Sequence, residues 1–375
     1  MGYEFIGWTG SNGDTPQTSV TIPSGSFGSK TYTANYDLIV YDITYDLDGG
    51  SLESGLNNPT TYDITSATIN INNPIKARTL SDGIYVFYLF AGWTGTDVDV
   101  ASKTLFIPQG STGNRTYTAN WIEFEMKPIL AGTFTMGSPD GELGHISSEI
   151  QHQVTISQNF WMGTYEVTQD LYFAIIGTNP STFKEGAAAS VRPTTSANYP
   201  VEWVSYSTIT TANTGFLAQI NSQLASQLPE GYKFDLPTEA QWEYACRADT
   251  ITSLNNGTDL TSAYGICPNL DILAWYIGNS SVNDVKQTHP VDQKLPNAWG
   301  LYDMHGNVWE WCKDMYANYP TSAVTDPLCV SGSRRVIRGG SWKIDPNGNR
   351  SASRSYTNPS NASSEFGFRL ALVHE

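Results

Sequence analysis

Positive charge is scarce in this chain: 20 Lys and Arg stand against 36 Asp and Glu, for a net charge of −16. A polyphosphate partner would be repelled, and no run of basic residues overrides that field, so nucleic-acid binding is excluded. Charge of either sign is thin, at 15% of residues. Cysteine is limited to Cys246, Cys267, Cys312 and Cys329, none in a C-x-x-C pair, which removes zinc-ribbon and thioredoxin-type chemistry. Buried free thiols are the preferred reading of these four, with one or two disulfides in an oxidising compartment as the alternative. The histidines, His145, His152, His289, His305 and His374, are scattered without H-x-x-x-H or H-E-x-x-H spacing. No nucleophile elbow and no Gly-rich phosphate loop stands out. No apolar run of about 20 residues exists, so nothing reads as a transmembrane helix. No basic-then-apolar leader follows Met1.

What is present is apolar and aromatic. Hydrophobic residues make up 39% of the chain, with 11 Trp and 21 Tyr. That is enough to bury real cores, and 375 residues suggest two or three domains. The N-terminal third contains an internal repeat. Tyr3-Glu-Phe-Ile-Gly-Trp-Thr-Gly10 returns as Tyr88-Leu-Phe-Ala-Gly-Trp-Thr-Gly95, and Thr31-Tyr-Thr-Ala-Asn35 as Thr116-Tyr-Thr-Ala-Asn120, in a gapless register 85 residues apart. Short alternating runs rich in Thr, Tyr and Val, punctuated by Gly, Pro and Asn, predict strands. Asp48-Gly49-Gly50 predicts a hairpin turn. The second copy has a front half, from Ile43 to Tyr62, that the first lacks. The expected domains are therefore a partial repeat over 1–37, a complete repeat over 38–122 and a larger domain over 123–375. The chain is expected to continue upstream into further repeat sequence and a signal or anchor segment. Both copies resemble the Listeria–Bacteroides type of bacterial surface repeat, which implies a small, mostly-β, β-grasp-like spacer.

Beyond about Trp121 the periodicity changes. Glu166–Ile176 reads as a helix. Thr208–Leu228 carries Phe216, Ile220, Leu224 and Leu228 in i+4 steps and reads as another. Pro237-Thr238-Glu-Ala-Gln241 is a capping-box pattern that opens a helix through Ala248. From Gly257 the chain is dense in Gly, Asn, Pro and Trp, which predicts an α+β domain with long, packed loops.

Seven motifs follow in order: Gly132-Thr-Phe-Thr-Met-Gly-Ser138, Tyr165-Glu-Val-Thr-Gln169, Pro200-Val-Glu-Trp-Val-Ser-Tyr206, Leu236-Pro-Thr-Glu-Ala-Gln-Trp-Glu-Tyr-Ala245, Asn297 through Trp311, Arg335-Val-Ile-Arg-Gly-Gly-Ser-Trp342 and Gly367-Phe-Arg-Leu370. Together they resemble the formylglycine-generating enzyme (sulfatase-modifying factor) family. That resemblance implies a C-type-lectin-like fold of the formylglycine-generating-enzyme subclass. Trp242, Trp299, Trp309 and Trp311 are expected to be core or loop-pinning aromatics. Arg338 and Arg369 are expected to tie loops to carboxylates.

The enzymes of the family would require copper-binding cysteines at Ile344 and Asn349. Neither is Cys, and a soft Cu(I) site needs thiolates, so no copper and no catalysis are expected. The resemblance also places a structural Ca²⁺ on Asp303, Gly306, Val308 and Glu310, whose carboxylates and carbonyls are hard oxygen donors. The alternative is a loop held by hydrogen bonds alone.

Between Trp342 and Phe366 the residues become small and polar. The pattern R-G-G-S-W … R-S-A-x-R … G-F-R-L resembles the variable proteins of diversity-generating retroelements, the Treponema type in particular. In such systems AAY codons are rewritten to encode Asn, Ser, Thr, Ile, Tyr, Asp, Ala or Gly, among others. The resemblance implies a diversified ligand-binding surface at Ile344, Asp345, Asn347, Gly348, Asn349, Ser353, Ser355, Tyr356, Thr357, Asn361, Ala362 and Ser363. Lys343 and Glu365 fall outside the set. Trp342, Arg350, Arg354 and Phe368 are the expected scaffold of this 342–366 stretch, and Tyr356 its expected anchor. The expected function is a surface-displayed receptor-type protein that binds a protein or glycan as a monomer, held at the cell surface as an outer-membrane lipoprotein. A metal-dependent oxidase of the formylglycine-generating type is the alternative.

Overall fold

The computed structural model describes residues 2–183 and 198–375. The chain divides into two compact units. The first takes the residues up to Lys76 together with Phe90–Trp121, and the second takes Ala77–Leu89 with Ile122–Glu375.

In the first unit the repeat is visible bond by bond. Strand Tyr3–Gly10 pairs antiparallel with Gly13–Gln17 through Trp8↔Gln17 and Gly10↔Gly13. The second copy reproduces this as Trp93↔Ser102 and Gly95↔Val98. Asn35 Nδ2 donates to Gly7 O, Thr9 Oγ1 and Thr33 O. Asn120 Nδ2 donates to Gly92 O, Thr94 Oγ1 and Thr118 O. Gly7 (φ +139°) and Gly92 (φ +131°) permit the bulge that this amide fills. A Cβ at either would lie 2.6 Å from the backbone nitrogen of the strand opposite. The front half of the second copy adds Tyr41–Asp46, which runs parallel to the start of Arg115–Ile129. Ile43, Tyr62 and Ile71 from that half close a core around Trp93, Ile107 and Tyr117. The Asp48-Gly49-Gly50 turn forms, with Gly50 N donating to Leu47 O. It does not close a tight hairpin, because Tyr41–Asp46 takes Thr61–Tyr62 as its antiparallel partner instead.

In the second unit, Tyr232–Asp235, Ala371–His374 and Phe160–Gly163 pair in that order, and the end of Arg115–Ile129 joins beside Phe160–Gly163. The hairpin residues 77–89 belong here rather than with the repeat. Phe87 stacks on Phe124 at 5.4 Å and meets Phe234 edge-on at 4.9 Å, so its burial lies in this core. The helices are short. Thr168 caps Gln169–Ile176, so the predicted Glu166 start shifts inward and Glu166 precedes the helix. The predicted Thr208–Leu228 helix is divided into Tyr206–Thr210, Phe216–Gln223 and a 3-10 turn Ala225–Gln227. Gly215 caps the middle piece, and the Thr-rich run before it competes with helix through its own hydroxyls. The capping box at Thr238 and Gln241 forms as expected and opens Glu239–Arg247. Trp242 and Trp311 are fully buried, Trp309 nearly so, and Trp299 packs edge-on against Tyr244. All four cysteines are free, three of them buried.

Candidate binding site

The polar stretch is built on a four-stranded sheet. Its strands are Arg354–Thr357, Arg335–Arg338, Trp309–Met315 and Phe366–Gly367, in that order. Antiparallel pairing sets Arg338 opposite Arg354 and Val336 opposite Tyr356. The chain leaves this sheet through Gly339-Gly340, turns through a 3-10 segment Pro346–Asn349, and returns on Arg354. Gly340 (φ +83°) is required there, because a Cβ would sit 2.0 Å from Asn349 Oδ1.

The middle of the stretch is buried and clamped by cations. Arg350 donates to Glu149 through both terminal nitrogens, at 2.9 and 2.7 Å, to Glu142 at 2.6 Å, and to the carbonyls of Gly144 and Asn347. Arg354 forks onto Glu239 at 2.8 and 2.7 Å, with its guanidinium 3.8 Å from the Tyr319 ring centroid. Arg338 bonds Glu243 and the carbonyls of Ser351, Ala352 and Ser353. His305 Nδ1 donates to Asn349 O at 2.6 Å while Nε2 accepts from Asn255 N. Burial holds this imidazole neutral and pushes its pKa down to about 4. Trp342 donates its indole N–H to Ser364 O at 2.9 Å. Phe368 is fully buried against Phe216 and Tyr172. The four predicted scaffold residues are thus all interior, and Arg338 and Arg369 bind carboxylates as expected.

The predicted variable positions separate into three groups. Asn349 is fully buried and Ser353 is 6% exposed. Their side chains cannot meet a ligand in this conformation, a correction to their expected role. Asn349 instead donates to Ile344 O and Asp345 O at 3.1 and 2.8 Å and holds the turn together. Ile344, Asp345, Asn347 and Gly348 are half-exposed and lie beside the 263–265 loop, through Asn347 N to Ala263 O and Gly265 N to Asp345 Oδ1. Ser355, Tyr356, Thr357, Asn361, Ala362 and Ser363 form the outer group. Tyr356 is 40% exposed, with its ring 4.2 Å from that of Tyr316 and the Arg334 guanidinium 4.9 Å away. Ser207 N donates to Pro359 O and Trp203 N to Ser363 O. The neighbours missed by sequence reasoning are Trp203, Tyr264 and Ile266, exposed at 51%, 69% and 69%. Their signal was an aromatic or apolar side chain inside a loop motif, which sequence alone does not separate from a core residue.

The implied Ca²⁺ quartet does not fit as a whole. Asp303 is buried, with Oδ2 accepting from Asp292 N and Oδ1 without a donor. Glu310, however, is occupied: both oxygens accept from Arg369, and Oε2 also from the Trp242 indole at 2.7 Å. A cation on Glu310 would sit against a guanidinium. Among the described residues no three His, Cys, Asp or Glu groups converge to hold a metal.

With this geometry in place, comparison with known proteins is decisive for the family. Residues 120–373 match the "Sulfatase-modifying factor enzyme 1-like domain". The chain belongs to the sulfatase-modifying factor family. Among solved structures, this sulfatase-modifying factor domain is similar to the Treponema denticola variable protein 1, at 30% identity and a TM-score of 0.55, over 67% of this chain and 95% of that one. It is also similar to PvdO from Pseudomonas aeruginosa, at 28% identity and a TM-score of 0.52, over 66% and 94%. The formylglycine-generating enzyme of Mus musculus is 28% identical over 67% of this chain and 75% of the mouse protein. The fold is accordingly the C-type-lectin-like one of this family, mostly β with few helices. The relatives include an enzyme as well as a variable protein.

Proposed function

We propose that the sulfatase-modifying factor domain of this chain is a non-catalytic receptor whose C-terminal stretch is a sequence-diversified binding surface for a protein or glycan. The observation that carries this reading is the division of labour within the stretch. Its backbone carbonyls are held by buried Arg338, Arg350 and His305, while the side chains of Ile344, Asp345, Asn347, Tyr356, Thr357, Asn361 and Ala362 remain partly or fully exposed. A surface preorganised in this way loses little entropy on binding. In the same reading the N-terminal β-grasp-like repeats are spacers, and the chain is displayed at the cell surface as a monomer.

Comparison of the gene's 3′ end between isolates tests the proposal. Replacements are expected to concentrate at the exposed positions and to spare Trp342, Arg350, Arg354 and Phe368. Replacements spread evenly over the domain would refute it. The formylglycine-generating relatives support a second reading as an oxidase. Ile344 and Asn349 stand where the copper thiolates of that reading are required, and Asn349 is committed to the turn. Tight Cu(I) binding by this chain would favour the oxidase.

A further inference from the structure

A cavity of about 410 Å³ lies apart from the exposed positions of the polar stretch, of which only Arg354 lines it. The backbone builds it. Strand Trp309–Met315 bulges against Arg335–Arg338 between Trp311 and Met315. The chain beyond it loops out through residues 316–334. On the way Val324–Thr325 pairs with Val154 and Thr155, and Cys329 O returns to accept from Met315 N at 2.8 Å. The space between this excursion, strand His152–Ile156 and the start of helix Glu239–Arg247 is the cavity. Its size falls in the range that encloses small organic ligands.

Met136, Met315 and Leu328 give the lining an apolar part, and two carboxylates line it as well. Glu239 is committed: Arg354 forks onto it, and Tyr319 Oη donates to it at 2.8 Å. Asp314 differs. It is 6% exposed, and its oxygens accept only from main-chain amides, Oδ2 from Glu239 N at 2.7 Å and Oδ1 from Cys329 N at 2.9 Å. Among the described residues no cation pairs with it, since Arg354 is spent on Glu239. A carboxylate offers about four lone-pair sites, so each oxygen of Asp314 keeps capacity for another donor. Amide donors orient the group without cancelling its charge. Burial pushes the carboxyl up to about 6, and Glu239 adds to the shift. A buried carboxylate in this position is stabilised by a positive charge brought to it.

We infer that this cavity is a second binding site, for a small organic cation: a primary ammonium on an apolar or aromatic body, with its N–H groups on Asp314 and its body against Met136, Met315 and Leu328. An ammonium carries three donors and no acceptor, which matches the free lone pairs of Asp314. The thioether side chains are flexible and polarisable, so they adapt to an irregular apolar body. A hard metal ion fits poorly, because it needs six or more oxygens and among the described residues no three His, Cys, Asp or Glu groups converge. An anion would meet two carboxylates against one guanidinium. The site stands whether or not residues 342–366 are diversified.

Calorimetric titration of the full chain with 2-phenylethylammonium tests this. Saturable binding is expected, weakened about tenfold or more in Asp314→Asn and for the neutral analogue 2-phenylethanol. Phenylacetate should not bind. Leu328 is 40% exposed, so Leu328→Trp can fill the cavity without touching Asp314; it should abolish binding even if Asp314→Asn fails to fold. Cys329 gives a readout in wild type, since it lines the cavity and is half-buried where the other three cysteines are buried. Saturating amine should slow its alkylation by iodoacetamide several-fold, and sodium chloride at the same concentration should not. No saturation by millimolar amine would overturn the assignment. So would equal affinity for the alcohol, an Asp314→Asn variant that binds as tightly as wild type, or bound amine that leaves Cys329 as reactive as before.

Discussion

The two parts of the polar stretch share small Asn, Ser and Ala residues and have opposite fates. Asn349–Arg354 is interior, and its two arginines are matched to carboxylates. Tyr356–Ala362 is largely at the surface, tied down at Pro359 and Ser363 through main-chain carbonyls. Asn347 and Asn349 are the same residue two positions apart, yet one borders the 263–265 loop and the other fills the space that Gly340 leaves open. What separates them is the supply of buried partners reaching in from Glu142, Glu149, Glu239, Glu243 and His305.

The sharpest break in this contrast is Arg350→Ala. It leaves Glu149 and Glu142 buried without their cation and is expected to cost about 3–5 kcal/mol in urea unfolding. A loss below about 1 kcal/mol would mean that the clamp is not what holds the inner part. Next comes pH. Burial pushes the Asp314 carboxyl, which accepts from Glu239 N at 2.7 Å and so steadies the Arg354 clamp, up to about 6 from an ordinary 3.8. A raised carboxyl pKa favours the fold most below the unfolded value, and that contribution is lost as pH rises through the folded one. The stability of wild type relative to Asp314→Asn should therefore fall by about 2 kcal/mol between pH 4 and pH 7; a flat difference would contradict the burial argument. Asn349→Ala removes two bonds to the turn and should cost about 1–2 kcal/mol by thermal melt. Asn361→Ala and Ala362→Ser, on the outer part, should stay within about 0.5 kcal/mol of wild type. An outer substitution as costly as Asn349→Ala would erase the distinction.

Much of the architecture was legible in the sequence. Seven ordered motifs implied the family fold, and the gapless repeat predicted strands in both copies, though not the shared bonding of Asn35 and Asn120, which appears only in the structure. The capping box at Thr238 was local and therefore readable. The broken helix was not, because Phe216, Ile220 and Leu224 keep a helical stripe whether or not Gly215 interrupts the chain before them. Candidate site residues were legible as a stretch but not one by one. Burial of Asn349 depends on His305 and Gly340, which are remote in sequence or visible only as backbone geometry.

The repeats carry the same lesson in another form. Trp8 and Trp93 share a local geometry, but Trp8 is 36% exposed and Trp93 is fully buried. The difference is the front half that only the second copy possesses, so local sequence set the bend and distant sequence set the burial.

The buried arginines have one further consequence. Arg338 grips the carbonyls of residues 351, 352 and 353, and Arg350 that of 347. Every amino acid presents a carbonyl, so this grip is indifferent to how those positions are spelled. A frame that reads only the main chain lets many alphabets be written on one shape, and a lineage could search among them without relearning how to fold.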